Sequence, residues 1–285
     1  MIFQTVATPV FVDVLPDVLT LDPKDLAAKI TPRSKAVMVV DVFGHPAEWD
    51  EILAVTEAAG LAVVDDSCEA LGATYKGREL GSFGDAASFA FYPNKQITTG
   101  EGGVLVTDRE DVAETARSLR NQGRDAMGTW LSHVRLGYNY RMDEMSAALG
   151  VSQMKRLDDI MERRAAVAAS YDRALAGIAG VTTPVVHDHV TMSWFVYVVR
   201  LAPPEKGGVD RDAALAFLEE QGVPCRAYFS PIHTQPYVRE RLGDLAGTLP
   251  RTEEISRQTM ALPFHTNLSD EEVARVAEAL RAAVA

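Results

Sequence analysis

The sequence has few cysteines, no excess of positive charge and no long hydrophobic run, and each absence excludes a class of protein. Cys68 and Cys225 are the only cysteines among 285 residues, and neither is part of a CxxC motif, so we expect a reducing compartment such as the cytoplasm. The net charge of -12 disfavours nucleic acid as a partner. No apolar run reaches the roughly 20 residues that a membrane span requires, and the start does not resemble a signal peptide, so no membrane insertion is expected.

The composition is typical of a globular protein with a buried core, because 47% of the residues are hydrophobic and 24% are charged. At roughly 100 to 200 residues per domain, the chain is long enough for two domains. We predict a large domain over residues 1–160 and a smaller one over residues 161–285 that includes a linking helix.

Short apolar runs alternate with helical patterns in the first half of the chain. The predicted strands are Pro9–Val14, Ala36–Phe43, Leu61–Val64, Ala86–Phe91 and Val104–Thr107, and the predicted helices are Asp22–Ile30, Pro46–Ala59 and Glu110–Gln122. Apolar runs without polar alternation are typical of strands covered on both faces. Alternating strands and helices are typical of an α/β fold with a mostly parallel sheet. We therefore predict such a sheet with helices on both of its faces.

The second half has a different pattern, which begins with one long helical stretch from Met142 to about Leu175. The elements predicted after it are the strands Trp194–Leu201 and Cys225–Phe229 and the helix Asp210–Gln221. Ser269 and Glu272 have the spacing of a capping box, which predicts the start of the last helix. This mixture indicates a smaller α+β domain.

Two acidic residues, Asp65 and Asp66, end the third predicted strand. Ligands of open parallel sheets bind beyond the carboxyl ends of the strands, so these carboxylates are candidates for a binding site. The alternative is that they only cap the turn that begins at Ser67.

Lys95 follows the next predicted strand, after the aromatic residues Phe91 and Tyr92 and before the flexible segment Gly100–Gly103. A lysine in an apolar pocket can lose its proton and form a Schiff base with a carbonyl group. The glycines would let backbone amides approach an anionic group. The GEGG run does not match the GxGxxG dinucleotide motif and leads into a strand.

A strand-end acid and a lysine after the next strand meet the needs of pyridoxal phosphate (PLP) chemistry. The carboxylate of Asp66 would keep the pyridine nitrogen protonated, and Lys95 would hold the cofactor aldehyde.

Four blocks of sequence carry a resemblance to a known family. They are VVDDSCEALGATYKG, GSFGDAASFAFYPNKQITTGEGGVLVT, LGYNYRMDEMSAALG and YFSPIHTQPY. Together they resemble the DegT/DnrJ/StrS-type sugar aminotransferases, a family of PLP enzymes of fold type I. The resemblance extends from about Pro9 to the C-terminus, and its most specific parts are the blocks around Lys95 and Asn139.

The resemblance implies a role for each matched residue near the cofactor. Lys95 would be the attachment and proton-transfer residue, and Asp66 the partner of the pyridine nitrogen. Glu69 falls where the family usually has Gln or His near the ring oxygen. Asn139 matches an asparagine that reaches the cofactor phosphate of a second subunit, which implies a homodimer with active sites at the interface.

The resemblance also implies the substrates and the reaction. Tyr228 and His233 match a segment that lines the sugar-nucleotide site, although His233 could instead only bond to backbone within its turn. The expected activity is transfer of an amino group from an amino acid, expected to be glutamate, to a nucleotide-linked keto-sugar in polysaccharide or amino-sugar biosynthesis.

The sequence departs from the family in two places. Ala90 stands where a phosphate-binding serine is common, and Ser88 would point to the same face of the strand. Family members also have a further N-terminal segment with a small-residue turn that binds the phosphate, whereas Gly44 and Gly60 are the only glycines before Asp66. We therefore expect that part of the large domain is missing from this sequence, or that the chain binds PLP weakly.

Three alternatives remain at this point. A PLP-dependent sugar dehydratase is disfavoured because relatives with that activity have histidine in place of Lys95. A non-catalytic or regulatory relative is compatible with the missing phosphate-binding turn. A metal site at His187, Asp188 and His189 has only a loop context to support it, and we expect no metal.

Overall fold

The computed structural model describes residues 2–125 and 132–285. In these two ranges, no helix combines the length and the apolar composition that crossing a membrane requires. The chain divides into two compact units. We call Ser34–Met161 together with His189–Phe195 the Lys95 unit, and we call Met1–Arg33, Glu162–Asp188 and Val196–Ala285 the C-terminal unit.

The elements are numbered in chain order. The α-helices are α1 Pro23–Lys29, α2 Trp49–Ala59, α3 Glu110–Arg120, α4 Glu144–Met154, α5 Leu157–Leu175, α6 Arg211–Glu220, α7 Pro236–Leu242, α8 Pro250–Ser256 and α9 Asp270–Ala283. The strands are β1 Ala36–Val40, β2 Ala62–Asp66, β3 Thr74–Tyr75, β4 Arg78–Glu79, β5 Ala86–Ala90, β6 Gly103–Val106, β7 Val181–Thr182, β8 Val190–Thr191, β9 Tyr197–Leu201, β10 Arg226–Ala227 and β11 Thr259–Leu262. Short 3-10 helices occur at Ile2–Thr5, Val42–Gly44, Pro204–Lys206 and Ile232–Thr234.

The Lys95 unit is built on a sheet with the strand order β1-β2-β5-β6. The first three strands are parallel and β6 is antiparallel to β5, so the prediction of a mostly parallel sheet is confirmed. The register places Asp66 between Val40 and Ser88. Helix α2 buries Trp49 and Ile52 fully. This register brings three strand ends, and the residues that follow them, to one edge of the sheet.

The C-terminal unit contains a second sheet with the order β10-β11-β9-β7, and all of its strand pairs are antiparallel. Every residue of β11 is buried, and four of the five residues of β9 are buried. Helix α6 packs against α9 and β11. The predicted capping box of α9 is confirmed, because Ser269 and Glu272 exchange side-chain and backbone hydrogen bonds.

The predicted strand Pro9–Val14 is wrong, since only Val14 forms an isolated bridge, to Leu21. The Asp13 carboxylate instead accepts hydrogen bonds from the backbone N–H groups of Arg251 and Thr252, in the first turn of α8. These bonds satisfy helix N–H groups that have no partner within the helix. The segment therefore packs within the C-terminal unit by capping a helix and not by pairing with a strand.

The single helix predicted from Met142 to Leu175 is also wrong, because α4 and α5 are separate helices. The Arg156 N–H donates to the Gln153 carbonyl oxygen, three residues back, and this bond replaces the four-residue pattern of an α-helix. No glycine or proline marks this break in the sequence. The chain passes from the Lys95 unit into the C-terminal unit within α5.

Candidate active site

Asp66 lies at the carboxyl end of β2, where a ligand of a parallel sheet is expected. Its Oδ1 accepts the Cys68 N–H at 3.2 Å. In the described part of the chain, no lysine, arginine or histidine forms an ion pair with Asp66. The carboxylate is therefore available to a cation from outside the protein.

The Lys95 side chain is enclosed, with an exposed fraction of only 13%. Its Nζ lies 3.5 Å from Glu69 Oε1 and 4.2 Å from the ring centroid of Phe195. The lysine begins a loop that is tied to the end of β5, since the Thr99 N–H donates to the Phe91 carbonyl oxygen at 3.0 Å. A cation beside one carboxylate and one aromatic face is stabilised by both.

Glu69 connects Lys95 to the segment after β1. Its Oε2 accepts the Phe43 N–H at 2.8 Å, while Oε1 faces Lys95. Burial raises the pKa of Glu69, and the bond from Phe43 and the charge of Lys95 oppose that rise. Glu69 is thus held beside Lys95 Nζ, the nitrogen that the sequence predicts to be reactive. The predicted contact of Glu69 with a cofactor stays a prediction.

Two glutamines that sequence analysis did not single out support the Lys95 loop. Gln96 Nε2 donates to the Glu69 carbonyl oxygen at 2.6 Å. Gln153, on α4, accepts the Thr98 N–H at 3.1 Å through Oε1 and donates to the Thr98 carbonyl oxygen at 2.6 Å through Nε2. A glutamine on a helix is usually solvated, so the sequence contains no signal for this paired contact.

The glycines after Lys95 are required by close packing. Gly102 has a φ of 150°, and a Cβ there would lie 2.5 Å from Thr99 Oγ1. A Cβ on Gly103 would lie 2.7 Å from the Phe89 carbonyl oxygen. These contacts are sufficient to explain both glycines, independently of any bound anion.

Ser88 lies directly beside Asp66 in the sheet, and its hydroxyl is 3.6 Å from Cys68 Sγ. The alternation of burial along β5 places Ser88 and Ala90 on the same face, as predicted. Burial raises the pKa of the Cys68 thiol to about 12, and the neighbouring Asp66 adds to that rise. The thiol therefore stays protonated and does not compete with Lys95 as a nucleophile. Phosphate binding by Ser88 stays a prediction.

Asn139 belongs to the Lys95 unit and forms an isolated bridge with Asn121. Its neighbours Tyr138 and Tyr140 stack on each other with ring centroids 4.9 Å apart, and all three residues are exposed. The segment therefore presents its side chains to the surface, and the predicted contact with a second subunit stays a prediction.

Tyr228 and His233 lie in the C-terminal unit. The Tyr228 ring stacks on Phe229 at 4.1 Å. His233 is 1% exposed, and its Nε2 lies 2.9 Å from Glu253 Oε1. The hydrogen bond with His233 lowers the pKa of Glu253. His233 thus has a carboxylate partner and not only backbone neighbours, and its substrate contact stays a prediction.

The histidines of the HDH segment each contact a carboxylate in their own unit. His187 Nε2 lies 3.3 Å from Asp17 Oδ2 in the C-terminal unit, and His189 Nε2 lies 3.1 Å from Glu48 Oε2 in the Lys95 unit.

The side chains at the edge of the β1-β2-β5-β6 sheet fit PLP. Asp66 offers a carboxylate without a cationic partner among the described residues, which suits a protonated pyridine nitrogen. Lys95 is an enclosed amine in the same unit, as attachment of an aldehyde requires. Sequence analysis identified both residues but missed Phe195, Gln96 and Gln153, which surround the Lys95 loop.

Known proteins similar to this chain include proteins named for polysaccharide biosynthesis and for the synthesis of a sugar nucleotide. The spore coat polysaccharide biosynthesis protein SpsC of Bacillus subtilis is 37% identical, over 98% of this chain and 74% of its own length. The GDP-perosamine synthase of Caulobacter vibrioides is 38% identical, over 96% of this chain and 72% of its own length. The crystal structure of DesI in the presence of its TDP-sugar product has a TM-score of 0.90 and 34% identity, over 99% of this chain and 70% of that one.

A family model matches residues 1–281. Similar solved structures include Spr1654 from Streptococcus pneumoniae in a PLP-form and a PMP-form, each with 27% identity and a TM-score of 0.90. With Lys95 and Asp66 placed at one edge of the sheet, the fold-type-I architecture and the PLP chemistry expected from the sequence agree with these matches. The chain belongs to the DegT/DnrJ/EryC1/StrS aminotransferase family.

Proposed function

We propose that this protein is a PLP-dependent transaminase that transfers an amino group, with glutamate as donor, to a nucleotide-linked keto-sugar. The observation that carries the proposal is the enclosed Lys95 amine, held between Glu69 and Phe195 in the unit that also contains Asp66. The names GDP-perosamine synthase and DesI with its TDP-sugar product support a sugar nucleotide as the acceptor.

Each residue of the site has a distinct task in this reaction. PLP, when bound, supplies a conjugated ring that accepts electrons from the carbon that carries the amino group. Asp66 would pair with the pyridine nitrogen and keep it protonated. Lys95 would hold the cofactor through its aldehyde, and its Nζ would take up and release the proton that moves during the transfer. Phe195 restricts the access of water to that nitrogen, since the Lys95 side chain is only 13% exposed.

Glu69 places a carboxylate beside the nitrogen that would transfer the proton. Its Oε1 lies 3.5 Å from Lys95 Nζ, and its Oε2 accepts the Phe43 N–H at 2.8 Å. Burial raises the pKa of Glu69. Glu69 would therefore help to hold the Lys95 side chain in position beside the reacting carbon.

A second copy of this chain is proposed as the partner, since a surface of the Lys95 unit is unusually apolar. Its exposed members are Leu136, Tyr138, Tyr140, Met145, Leu149, Val151 and Met154. Met145 is 85% and Leu136 is 89% exposed. Exposed apolar side chains that are concentrated in one stretch of a chain are typical of interaction sites, and Asn139 lies within the same segment.

Mixing two inactive variants tests whether the active site is shared between subunits. Lys95→Ala and Asn139→Ala are each expected to lack activity. A mixed dimer retains one site with both Lys95 and Asn139 intact, so activity returns after the two are unfolded and refolded together. Recovery of no activity above the sum of the separate samples would contradict the shared site.

Met145→Glu tests the apolar surface itself. The change is expected to give a monomer by sedimentation velocity, because a carboxylate would be buried in the contact. Val6→Glu is the matched control, since Val6 is 95% exposed in the C-terminal unit, and it should leave the dimer intact.

The substrate contacts of Tyr228 and His233 are part of the proposal. Tyr228→Ala is expected to raise the KM for the sugar nucleotide with a smaller change in kcat. For His233 the direct contact is testable by His233→Gln, which keeps a donor toward Glu253; an unchanged KM would assign His233 to structure alone. The free thiols of Cys68 and Cys225 support the cytoplasm as the proposed compartment.

The decisive experiment measures attachment of PLP to Lys95. The purified chain is titrated with PLP, reduced with borohydride and digested, and the modified lysine is identified by mass spectrometry. A visible absorbance band and a reduced adduct on Lys95 are expected, and both should be absent in Lys95→Ala. Lys155→Ala, at an exposed lysine of the same unit, is the matched control. An unmodified Lys95 would refute catalysis by this chain and favour a non-catalytic relative.

A further inference from the structure

A group of buried acids lies behind Asp66. Asp41 follows β1, Asp65 precedes Asp66, and Ser67 follows it; all three side chains are 0% exposed. Ser67 Oγ lies 3.0 Å from Asp41 Oδ2 and 2.7 Å from Asp65 Oδ1. We call these three residues the acid–serine cluster.

The remaining carboxylate oxygens of the cluster already have donors. Asp41 Oδ1 accepts the Ala47 N–H at 2.7 Å and the Trp49 Nε1–H at 3.2 Å. Asp65 Oδ2 accepts the Gly81 N–H at 3.1 Å. Only Asp41 Oδ2 and Asp65 Oδ1 therefore face the Ser67 hydroxyl.

Counting protons gives the charge of the cluster. A serine hydroxyl has one hydrogen and can donate to only one of the two carboxylate oxygens that it faces. The other contact requires a hydrogen on the carboxyl group, because two buried oxygens without a proton between them repel each other. The cluster therefore holds one proton in addition to that of Ser67, and this proton belongs to the pair of acids and not to one of them.

The electrostatics of the site agree with this count. Burial, and then the neighbouring charge of Asp65, raise the pKa of Asp41 well above its usual range. Burial also raises the pKa of Asp65, with a further contribution from the charge of Asp66. Among the described residues, no lysine, arginine or histidine forms an ion pair with Asp41 or Asp65, so no basic side chain offsets the rise in their pKa values.

Asp41 is bonded both to Asp66 and to the residue that follows it. Its backbone N–H donates to the Asp66 carbonyl oxygen at 3.2 Å. Its side chain shares a hydrogen bond with Ser67, whose hydroxyl also contacts Asp65. The two residues that flank Asp66 are thus joined to each other and to Asp41 by their side chains.

We propose that the acid–serine cluster is a one-proton positioning device that fixes Asp66 for its contact with the cofactor. This inference rests on the proposed role of Asp66 in PLP binding. Asp41, Asp65 and Ser67 act through Asp66 and are not themselves catalytic residues.

The proposal makes opposite predictions for single and double substitutions. In Asp41→Asn, the amide oxygen keeps the bonds from Ala47 and Trp49, and the NH2 group donates to Ser67, which then donates to Asp65. Asp65→Asn preserves the network by the same exchange with the roles reversed. The double variant leaves two NH2 donors and no acceptor for the Ser67 hydroxyl, so a buried donor loses its partner.

The first measurement detects the proton directly in the protein without PLP. At neutral pH the infrared spectrum should contain the carbonyl band of a protonated carboxyl group. The band should disappear in both single variants. It should persist in Glu69→Gln, which removes the other carboxyl group of the site whose pKa is raised. Absence of the band from the wild-type protein, or its loss only in Glu69→Gln, would overturn the proposal.

The second measurement follows the same proton through unfolding. The pKa of the Asp41–Asp65 pair is raised in the folded chain. At a pH between the ordinary pKa of aspartate and this raised pKa, unfolding therefore releases a proton. The free energy of unfolding falls as the pH rises through this window. The ratio of the unfolding constants of the wild type and Asp41→Asn should therefore increase about tenfold per pH unit in that window. Asp108→Asn, at an exposed position of the same unit, should give a constant ratio.

The third measurement tests the positioning of Asp66. Exchange of the Cys68 amide hydrogen, which is bonded to Asp66 Oδ1, should be unchanged in the single variants and faster by at least about tenfold in the double variant. The affinity for PLP should likewise be unchanged in the single variants and lower in the double variant. A loss in each single variant that simply adds up in the double variant would overturn the proposal. If wild-type Lys95 forms no adduct, the proposed function fails, while the infrared and exchange results still decide the role of the cluster.

Discussion

The two sheets of the protein differ in what surrounds their strands. In the C-terminal unit, every residue of β11 and most of β9 are buried. In the Lys95 unit, β1 alternates between buried and exposed residues, and Val40 at its carboxyl end is 40% exposed. The sheet of the C-terminal unit is enclosed, which stabilises the fold. The sheet of the Lys95 unit keeps one edge and part of one face accessible, as a ligand site requires.

Polar side chains are used differently in the two units. The Tyr197 hydroxyl donates to Asp172 at 2.5 Å, and Arg211 donates to the Thr259 carbonyl oxygen at 2.7 Å. These groups in the C-terminal unit satisfy one another. In the Lys95 unit, the carboxylate of Asp66 and the amine of Lys95 are held in place by neighbours that leave their chemistry available. A polar side chain therefore indicates a binding site where, as at Asp66, its neighbours among the described residues leave it without an ion-pair partner.

The largest effect is expected from a substitution in the accessible site of the Lys95 unit. Asp66→Asn should lower kcat by on the order of 10³-fold, because an amide cannot stabilise a protonated pyridine nitrogen. The thermal stability should change little. Steady-state kinetics and a melting curve measure the two quantities, and Asp108→Asn is the control. Comparable activity in Asp66→Asn would remove Asp66 from the site.

The second prediction tests the enclosed sheet. Leu218 is 0% exposed on α6, so Leu218→Ala should lower the free energy of unfolding by about 3 kcal/mol through lost burial and a cavity. Denaturant titration measures the loss. Under conditions where the variant is folded, formation of the Lys95 adduct should be unaffected. An adduct lost in proportion to stability would show that the two units do not act separately.

The third prediction concerns the support of the Lys95 loop. Gln153→Met removes both hydrogen bonds to Thr98 at nearly constant volume and should lower kcat about tenfold. Exchange of the Thr98 amide hydrogen should become faster. Gln221→Met, at an exposed glutamine, is the control.

Gln153→Glu gives this prediction a pH signature. The new carboxyl group can donate to the Thr98 carbonyl oxygen only when protonated, so activity should be near normal at acid pH and fall as the group ionises. A pH profile parallel to that of the wild type would contradict a role for Gln153 in holding the loop.

The smallest effect is expected at a helix end of the C-terminal unit. Ser269→Ala removes one half of the capping box of α9 and should cost about 1 kcal/mol of stability without changing kcat. A thermal melt and an activity assay measure the two. A lower kcat at full folding would show that the C-terminal unit has a chemical role at this helix.

Much of the fold follows from local pattern. The apolar runs predicted all four strands of the β1-β2-β5-β6 sheet but only β9 and β10 of the second sheet, and missed β7 and β11. The Ser269–Glu272 spacing predicted a cap that forms as expected. The prediction of a strand over Pro9–Val14 was wrong because a short apolar run does not require pairing with another strand. Asp13 instead accepts hydrogen bonds from N–H groups of α8. The break after α4 was missed because no glycine or proline marks it.

The sequence by itself determined that Asp66 ends one strand and that Lys95 follows a later one, since an apolar run and the polar residues after it are local features of the chain. Only the tertiary structure decided which groups surround them. Ser67 meets Asp41 across 26 residues of sequence, and Gln153 meets Thr98 across 55. Burial and the distance between charges determine proton sharing and loop support. Both depend on strand register and helix packing, which no single stretch of sequence contains.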